Sequence, residues 1–268
     1  MSDLIYFWQG IVSAILVSVS ASFVGVYLTL RRLSMLGASI SHFAFSGIAI
    51  AIVMDLDPFL FTLLYVLVAG LVTEYLIEDR RLPADTVLSL IFSFGVALSI
   101  VILGLSGKLG TQIVSYLFGS LLTTSTNEVL YTLLASLLTI AFLTFNYRRL
   151  MLMVFSEDIA KVHGIKVRIL NYMLVALACI NIVLSMKALG LLLATSFISI
   201  PPLAALMVAN AFLQTIVFSI LFSLIATLLG IFTSFTLNVP PSGSIVMFMV
   251  GLFVLLVMFK FTSKVVRS

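Results

Sequence analysis

Apolar runs of about 20 residues recur along the whole chain, and they restrict its fold more than any other feature. A helix of about that length can cross a hydrocarbon core about 30 Å thick. Residues 169–185 form one continuous apolar run rather than an alternating pattern, which argues against a β-barrel. Only 9% of the residues are charged, whereas a soluble domain needs about a quarter. The sequence therefore predicts an all-α, polytopic transmembrane helical bundle in a lipid bilayer.

Nine runs are predicted to cross the membrane, within one transmembrane domain over residues 1–268. They lie near residues 8–30, 38–54, 58–77, 86–105, 128–145, 169–186, 189–210, 213–236 and 244–260. The apolar segment 111–122 is too short to span and is predicted to form a re-entrant or interfacial helix. No basic segment with a cleavage site precedes the first run, so the first helix is expected to remain in the protein.

The basic residues indicate how the bundle is oriented, because positive charge concentrates in cytoplasmic loops. With nine crossings, Lys108 and Lys187 fall on one side, and the other twelve lysines and arginines fall on the opposite side. The twelve are Arg31, Arg32, Arg80, Arg81, Arg148, Arg149, Lys161, Lys166, Arg168, Lys260, Lys264 and Arg267. We therefore expect the N-terminus outside and the C-terminus in the cytoplasm, in the inner or plasma membrane. These charges lie in short loops, so nucleic acid is not an expected partner.

The longest cytoplasmic stretch, residues 146–168, contains the pattern of a short capped helix. Ser156 can accept a hydrogen bond from a first-turn N–H, and Glu157 and Asp158 suit the positive end of the helix dipole. Gly164 can adopt the left-handed conformation that ends a helix. A two-turn helix needs packing partners, so this segment either lies on the membrane surface or inserts into a groove on a partner protein.

Ionisable side chains inside the spans usually mark ion-coupled transport, and this chain has almost none. His42 is the only titratable side chain clearly inside a predicted span, which argues against secondary transport. The nearest approach to a phosphate-binding loop, Gly107-Lys108, continues with Leu109 rather than Ser or Thr. Two histidines also supply neither a Ser-His-Asp set nor a His-Glu-x-x-His motif. The chain is therefore not expected to be an enzyme, and a passive or partner-driven pathway remains.

Small residues surround His42 in the segment 37–47, with Ser39 and Ser46 on the same helix face. Small residues let helices approach closely, so the imidazole would lie in a narrow, polar place. It could ligate a transiting metal ion, or it could only be hydrogen-bonded to a neighbouring helix. Pro201 and Pro202 should kink the seventh span, either as a hinge or gate or as an ordinary packing device.

Three acidic residues lie at the predicted outer face: Asp55, Asp57 and Glu128. They could help to dock an external protein, although solvated loop charges explain them equally well.

Four segments together resemble the permease subunits of the ABC-type zinc and manganese importers, and the resemblance covers nearly the whole chain. The segments are residues 31–34 with 37–47, 158–160 with 164–167, 190–193 leading to 200–201, and 241–243. The resemblance implies the fold of a type II ABC importer permease that carries a divalent metal ion and binds no cofactor itself. It also implies a homodimer, two cytoplasmic ATPase subunits that use ATP, and an external solute-binding protein.

The resemblance further assigns roles to particular residues. It implies that His42 lies on the metal route, and that the coupling segment near 156–168 seats a helix on the ATPase. The coupling residues are Glu157, Asp158, Ile159, Ala160 and Gly164.

This chain departs from the family pattern at two places. The family usually has an aspartate four residues before the histidine, where this chain has Ala38, and another near the final Pro-Ser-Gly, where it has Asn238 and Val239. Few hard ligands then remain, and we hypothesise that the ion is held only weakly along the route. A non-metal cargo, a partner-independent channel or secondary transporter, and a non-transporting scaffold stay open as alternatives.

The orientation can be checked with single cysteines, because the native Cys179 lies within an apolar run. A membrane-impermeant maleimide applied to intact cells is expected to label Ser2→Cys at once. Ser268→Cys should be labelled only after the membrane is permeabilised. Labelling of both positions from one side would contradict an odd number of crossings.

Overall fold

The computed structural model describes residues 2–106, 119 and 125–265, and the elements in this part of the chain are helices. The helices in chain order are α1 (Ser2–Leu30), α2 (Leu36–Val53), α3 (Pro58–Glu78), α4 (Ala84–Ser106), α5 (Thr126–Phe145), α6 (Tyr147–Phe155), α7 (Glu157–Val162), α8 (Val167–Leu189), α9 (Leu191–Val208), α10 (Phe212–Leu237) and α11 (Pro241–Val265). The predicted all-α fold is confirmed. Apart from Gly119, the helix predicted over 111–122 lies outside the described residues.

Eight of the described helices are long and apolar enough to cross a membrane: α1, α2, α3, α4, α5, α8, α10 and α11. The remaining predicted span, 189–210, corresponds to α9. This helix has 18 residues, and its apolar part, Leu193–Val208, is shorter than the eight others. At 1.5 Å per residue α9 is about 27 Å long, slightly less than a typical hydrocarbon core.

Helix α1 lies at the centre of the bundle, where it packs against α5, α8, α9 and α10. Its buried serines form hydrogen bonds to three of these helices. Ser20 donates to the Oδ1 of Asn181 on α8 at 2.6 Å and shares a hydrogen bond with Ser136 on α5 at 3.2 Å. Ser223 on α10 donates to the carbonyl oxygen of Ser18 at 2.9 Å. In hydrocarbon the expulsion of water does not drive helices together. Hydrogen bonds of this kind therefore help to hold the helices in contact.

Helix α9 continues through Pro201 and Pro202, and both prolines are buried. Pro202 has no N–H, so the carbonyl group of Ile198, four residues earlier, lacks its usual helical donor. The backbone of α1 approaches that carbonyl group at Gly25: a Cβ atom placed there would lie 2.9 Å from the Ile198 Cα. The prolines and this glycine therefore act together to bring α1 and α9 into close backbone contact.

Helix α2 is enclosed by α3, α4, α8 and α9. Three glycines permit this packing. A Cβ at Gly95 on α4 would lie 2.7 Å from the Phe43 Cα, and a Cβ at Gly47 would lie 2.8 Å from the Tyr65 ring. A Cβ at Gly37 would lie 3.3 Å from the Ile198 side chain. The short segment around His42 is thus fixed in position by close helix packing at these glycines.

We expect Gly95→Ala to destabilise the protein by about 1–3 kcal/mol, because the added methyl group would overlap the α2 backbone. Gly104→Ala on the same helix is the matched control, since a Cβ at Gly104 meets nothing within 4 Å. That control should be neutral or slightly stabilising, because alanine favours helix. Thermal unfolding of the detergent-solubilised variants measures both effects. Equal unfolding temperatures for the two variants would contradict the close α2–α4 approach.

Candidate functional site

His42 lies on α2 and is half-buried between α2 and α4. Its ring makes an edge contact with Phe92, with ring centroids 4.6 Å apart and an interplanar angle of 65°. Gly95 brings the α4 backbone against the backbone of residues 42 and 43. The imidazole therefore lies where an aromatic ring and two helices restrict its motion, and part of it remains accessible.

The two serines predicted to share the face of His42 are completely buried. Ser39 donates to the carbonyl oxygen of Met35 at 2.9 Å. Ser46 donates to the carbonyl oxygen of Phe43 at 2.7 Å and lies 3.3 Å from the Tyr65 hydroxyl. Because these hydroxyl protons are used within the bundle, the serines could offer an ion only the lone pairs of their oxygens.

In the part of the chain that the structure describes, no group of three or more His, Cys, Asp and Glu side chains could hold a metal ion. Ala38 supplies no ligand in the first turn of α2. Asn238 takes the left-handed conformation with φ 52° at the end of α10, and Val239 follows it. Tight metal sites need several anionic or imidazole ligands, so the donor set around His42 fits a weakly held ion better than a resident one.

Pro201 lies on α9, which packs against α2. Gly37 on α2 lies against the side chain of Ile198, about one helical turn before Pro201, and Ser199 donates to the carbonyl oxygen of Ser34, just before α2, at 3.3 Å. The structure thus brings the proline-containing helix beside the first turns of α2. Contact between Pro201 and His42 is not among the observed interactions of the described residues.

The short capped helix predicted from the sequence is present as α7. Ser156 accepts a hydrogen bond from the Ile159 N–H at 3.3 Å, and Glu157 and Asp158 lie in the first turn. Gly164 has φ 73°, and the N–H of Ile165 bonds to the carbonyl oxygen of Ala160 at 3.0 Å. The helix ends at Val162 with His163 as its C-cap, so Gly164 takes the left-handed position that follows the cap, as predicted.

One side of α7 is buried and the other presents apolar side chains to the surroundings. Ala160 is completely buried, whereas Ile159 is 52% exposed and Val162 is 87% exposed. Phe155, at the end of α6, is 71% exposed. These residues follow the arginine pair at 148–149, so they belong to the basic side of the bundle. Apolar residues exposed there are typical of a surface that contacts another protein or the membrane.

Arg31, which the sequence marks as a positive charge and as part of the segment 31–34, lies in a cluster with three carboxylates. Its Nη2 lies 3.6 Å from Glu74, 4.0 Å from Glu78 and 3.6 Å from Glu157. The spacing of Glu74 and Glu78, four residues apart on α3, was the available signal for this cluster. No pattern in the sequence indicates that α7 would lie beside them.

The acidic residues considered for docking have structural roles as well. Asp57 caps α3 by accepting a hydrogen bond from the Leu60 N–H at 2.7 Å. Glu128 forms a capping box with Ser125 at the start of α5. Asp55 is exposed in the turn before α3 and has φ 53°.

A bundle of this length and hydropathy, with a capped helix exposed on its basic side, defines a polytopic membrane protein. The chain belongs to the ABC 3 transport family, whose model matches residues 4–260. It is 32% identical over 249 residues to the high-affinity zinc uptake system membrane protein ZnuB of Buchnera aphidicola, covering 92% of this chain and 95% of that protein. It is 25% identical over 239 residues to the manganese import system permease protein ScaB of Streptococcus parasanguinis, covering 89% and 85%.

The fold is also similar to a solved structure, PsaBC from Streptococcus pneumoniae in complex with Fab. The two share a TM-score of 0.81 and 26% sequence identity, covering 94% of this chain and 90% of that chain. The fold is therefore that of an ABC transporter permease.

If His42 lies on the substrate route, His42→Ala should lower the metal uptake rate by about tenfold or more, because the route has few other ligands. Ser41→Ala is the matched control: Ser41 donates to the Gly37 carbonyl oxygen at 2.7 Å and is fully buried in the same turn. Radioactive or fluorescent metal uptake by reconstituted vesicles provides the measurement. Near-normal uptake by His42→Ala would instead assign the ring to packing against Phe92.

Proposed function

We propose that this chain is the membrane-spanning permease of an ATP-driven importer for a divalent metal ion, with zinc or manganese as the substrate. The observation that carries this proposal is the match of residues 4–260 to the ABC 3 transport family. Relatives that cover most of the chain are zinc uptake and manganese import proteins. These relatives are named for different metals, so similarity does not choose between the two ions. The residues along the route of this chain decide which ion it carries.

The permease is a transport subunit rather than an enzyme, and it binds no cofactor. ATP is hydrolysed on separate cytoplasmic subunits, and an external solute-binding protein delivers the ion. The single permease domain over residues 1–268 acts as a homodimer. Its N-terminus lies outside and its C-terminus in the cytoplasm, which the distribution of lysine and arginine supports.

Helix α7 is the coupling helix that seats in a groove of the ATPase. Ile159 provides an apolar contact, Asp158 is an exposed charge beside it, and Ala160 anchors the helix to the bundle. Glu157 and Gly164 define its two ends. A rigid helix that presents an apolar side chain to a groove is a common mode of protein recognition.

The metal passes His42, with Ser39 and Ser46 in the same segment and Pro201 on the neighbouring helix. A single imidazole with hydroxyl and carbonyl oxygens binds a cation weakly, which favours transit over storage. Asp55, Asp57 and Glu128 form the acidic part of the docking surface for the binding protein.

The proposal is tested with proteoliposomes that hold this chain, its ATPase and its binding protein, supplied with zinc, manganese, iron or nickel. We expect ATP-dependent accumulation of zinc or manganese, and none with a non-hydrolysable ATP analogue. Uptake that proceeds equally without the ATPase would establish a channel or secondary transporter instead. ATP hydrolysis that no metal stimulates would indicate a non-metal cargo.

A further inference from the structure

Arg31 occupies a position where three helices meet. It follows the last residue of α1, and its side chain is only 9% exposed. Glu74 and Glu78 come from the C-terminal turns of α3, and Glu157 is the first residue of α7. One guanidinium group therefore joins α1 and α3 to α7.

The carboxylates differ in their surroundings. Glu74 is completely buried, and neither of its oxygens has a hydrogen bond within the described structure. Glu78 is also held by the Nδ2 of Asn171 at 2.9 Å, and its side chain is 19% exposed. Glu157 is 39% exposed and has a second partner in Lys161 at 3.9 Å. The buried charge of Glu74 is thus compensated by Arg31, whereas Glu157 lies at the edge of the network that water can reach.

The network has an unused donor. The Nη1 of Arg31 is buried, and no hydrogen bond to it is observed in the described structure. A cavity of about 620 Å³ borders Arg31, Glu78, Glu157 and Lys161 on the basic side of the bundle. The cavity leaves space beside the Glu157 end of the network, and Nη1 is a donor that no carboxylate of the described residues uses.

Helix α7 needs such an attachment. It has six residues, too few to be stable alone, and its packing neighbours are α6 and α8, the helices that precede and follow it in the chain. Through Arg31 it is connected as well to α1 and to α3, and α3 packs against α2, which carries His42.

We propose that Arg31 is a positioning residue that fastens the coupling helix to α1 and α3, so that a displacement of α7 by the ATPase is transmitted to the helices beside the metal route. This proposal rests on the proposed function, because it takes α7 as the ATPase contact. The Glu157 end of the network is the exchangeable end, and the Glu74 end holds Arg31 in place.

The first test measures amide hydrogen exchange of residues 157–165 in the isolated permease, which requires neither cargo nor ATPase. Glu157→Gln removes the attachment at its exposed end. Arg31→Met with Glu74→Met removes it at its buried end, and the paired change avoids an uncompensated buried charge. We expect exchange in this segment to rise about tenfold in both, since local opening becomes easier.

Two further variants complete this test. Glu157→Gln added to Arg31→Met and Glu74→Met should bring a smaller increase than it brings to the wild-type protein, because both changes break the same interaction and only the contact with Lys161 is left to lose. Arg80→Gln is the matched control: Arg80 is an exposed arginine on the same side that bonds to the Tyr75 hydroxyl at 3.0 Å and lies outside the network. Unchanged exchange in the network variants, or a rise equal to that of Arg80→Gln, would overturn the proposal.

The second test measures metal transported per ATP hydrolysed in the reconstituted importer. We expect the ratio to fall about threefold or more in Glu157→Gln and in the paired variant, with ATP hydrolysis retained and Arg80→Gln like wild type. A wild-type ratio in the network variants would overturn the transmitting role. Absence of ATP-dependent uptake in the wild-type protein would instead refute the proposed function, and the exchange measurement would still decide whether Arg31 fastens α7.

Discussion

Hydrogen bonds and close backbone contacts around α1 hold this bundle together, because in hydrocarbon the expulsion of water no longer drives helices into contact. Ser20 and Asn181 join α1 to α8, and Ser223 joins α10 to α1. Gly25 lets α1 approach α9 at the carbonyl group that Pro202 leaves without a helical donor. Helices α5, α8, α9 and α10 all pack directly on this central helix. The prolines therefore contribute to packing whatever they contribute to motion.

The same packing rule explains the character of the candidate route. Helix α2 is held by glycine contacts with α3, α4 and α9, so the position of His42 is set by backbones rather than by a shell of ligands. The hydroxyl groups of Ser39 and Ser46 donate hydrogen bonds to backbone carbonyl oxygens. The imidazole is therefore the strongest candidate metal ligand in its surroundings. A site of this kind has a fixed geometry and a low affinity for a cation. Those two properties suit an ion that must enter and leave in each cycle.

The features predicted correctly from the sequence are those determined locally. Hydropathy over 20 residues identifies a span, and the capping pattern from Ser156 to Gly164 specifies a short helix whatever surrounds it. The Arg31 network and the Gly25–Ile198 contact could not be predicted, because each depends on which helices become neighbours. The effect of Pro202 could be predicted in part: proline has no N–H, so a helical hydrogen bond had to be missing. Which helix lies against the carbonyl group left without that bond could not be predicted. The roles of His42, Ser39, Ser46 and Pro201 in transport stay predictions.

A buried ion network is weak evidence for stability, since well-packed apolar side chains of similar size often serve as well. Glu74 illustrates the point: it is completely buried and makes no hydrogen bond in the described structure, so it contributes less than a fully satisfied pair would. What the network supplies is geometric specificity. It selects one position of α7 relative to α1 and α3, while Glu157 remains close enough to water for that selection to be reversible. The coupling role that we propose for α7 requires both properties, because a freely moving helix transmits no displacement and a permanently fixed one allows none.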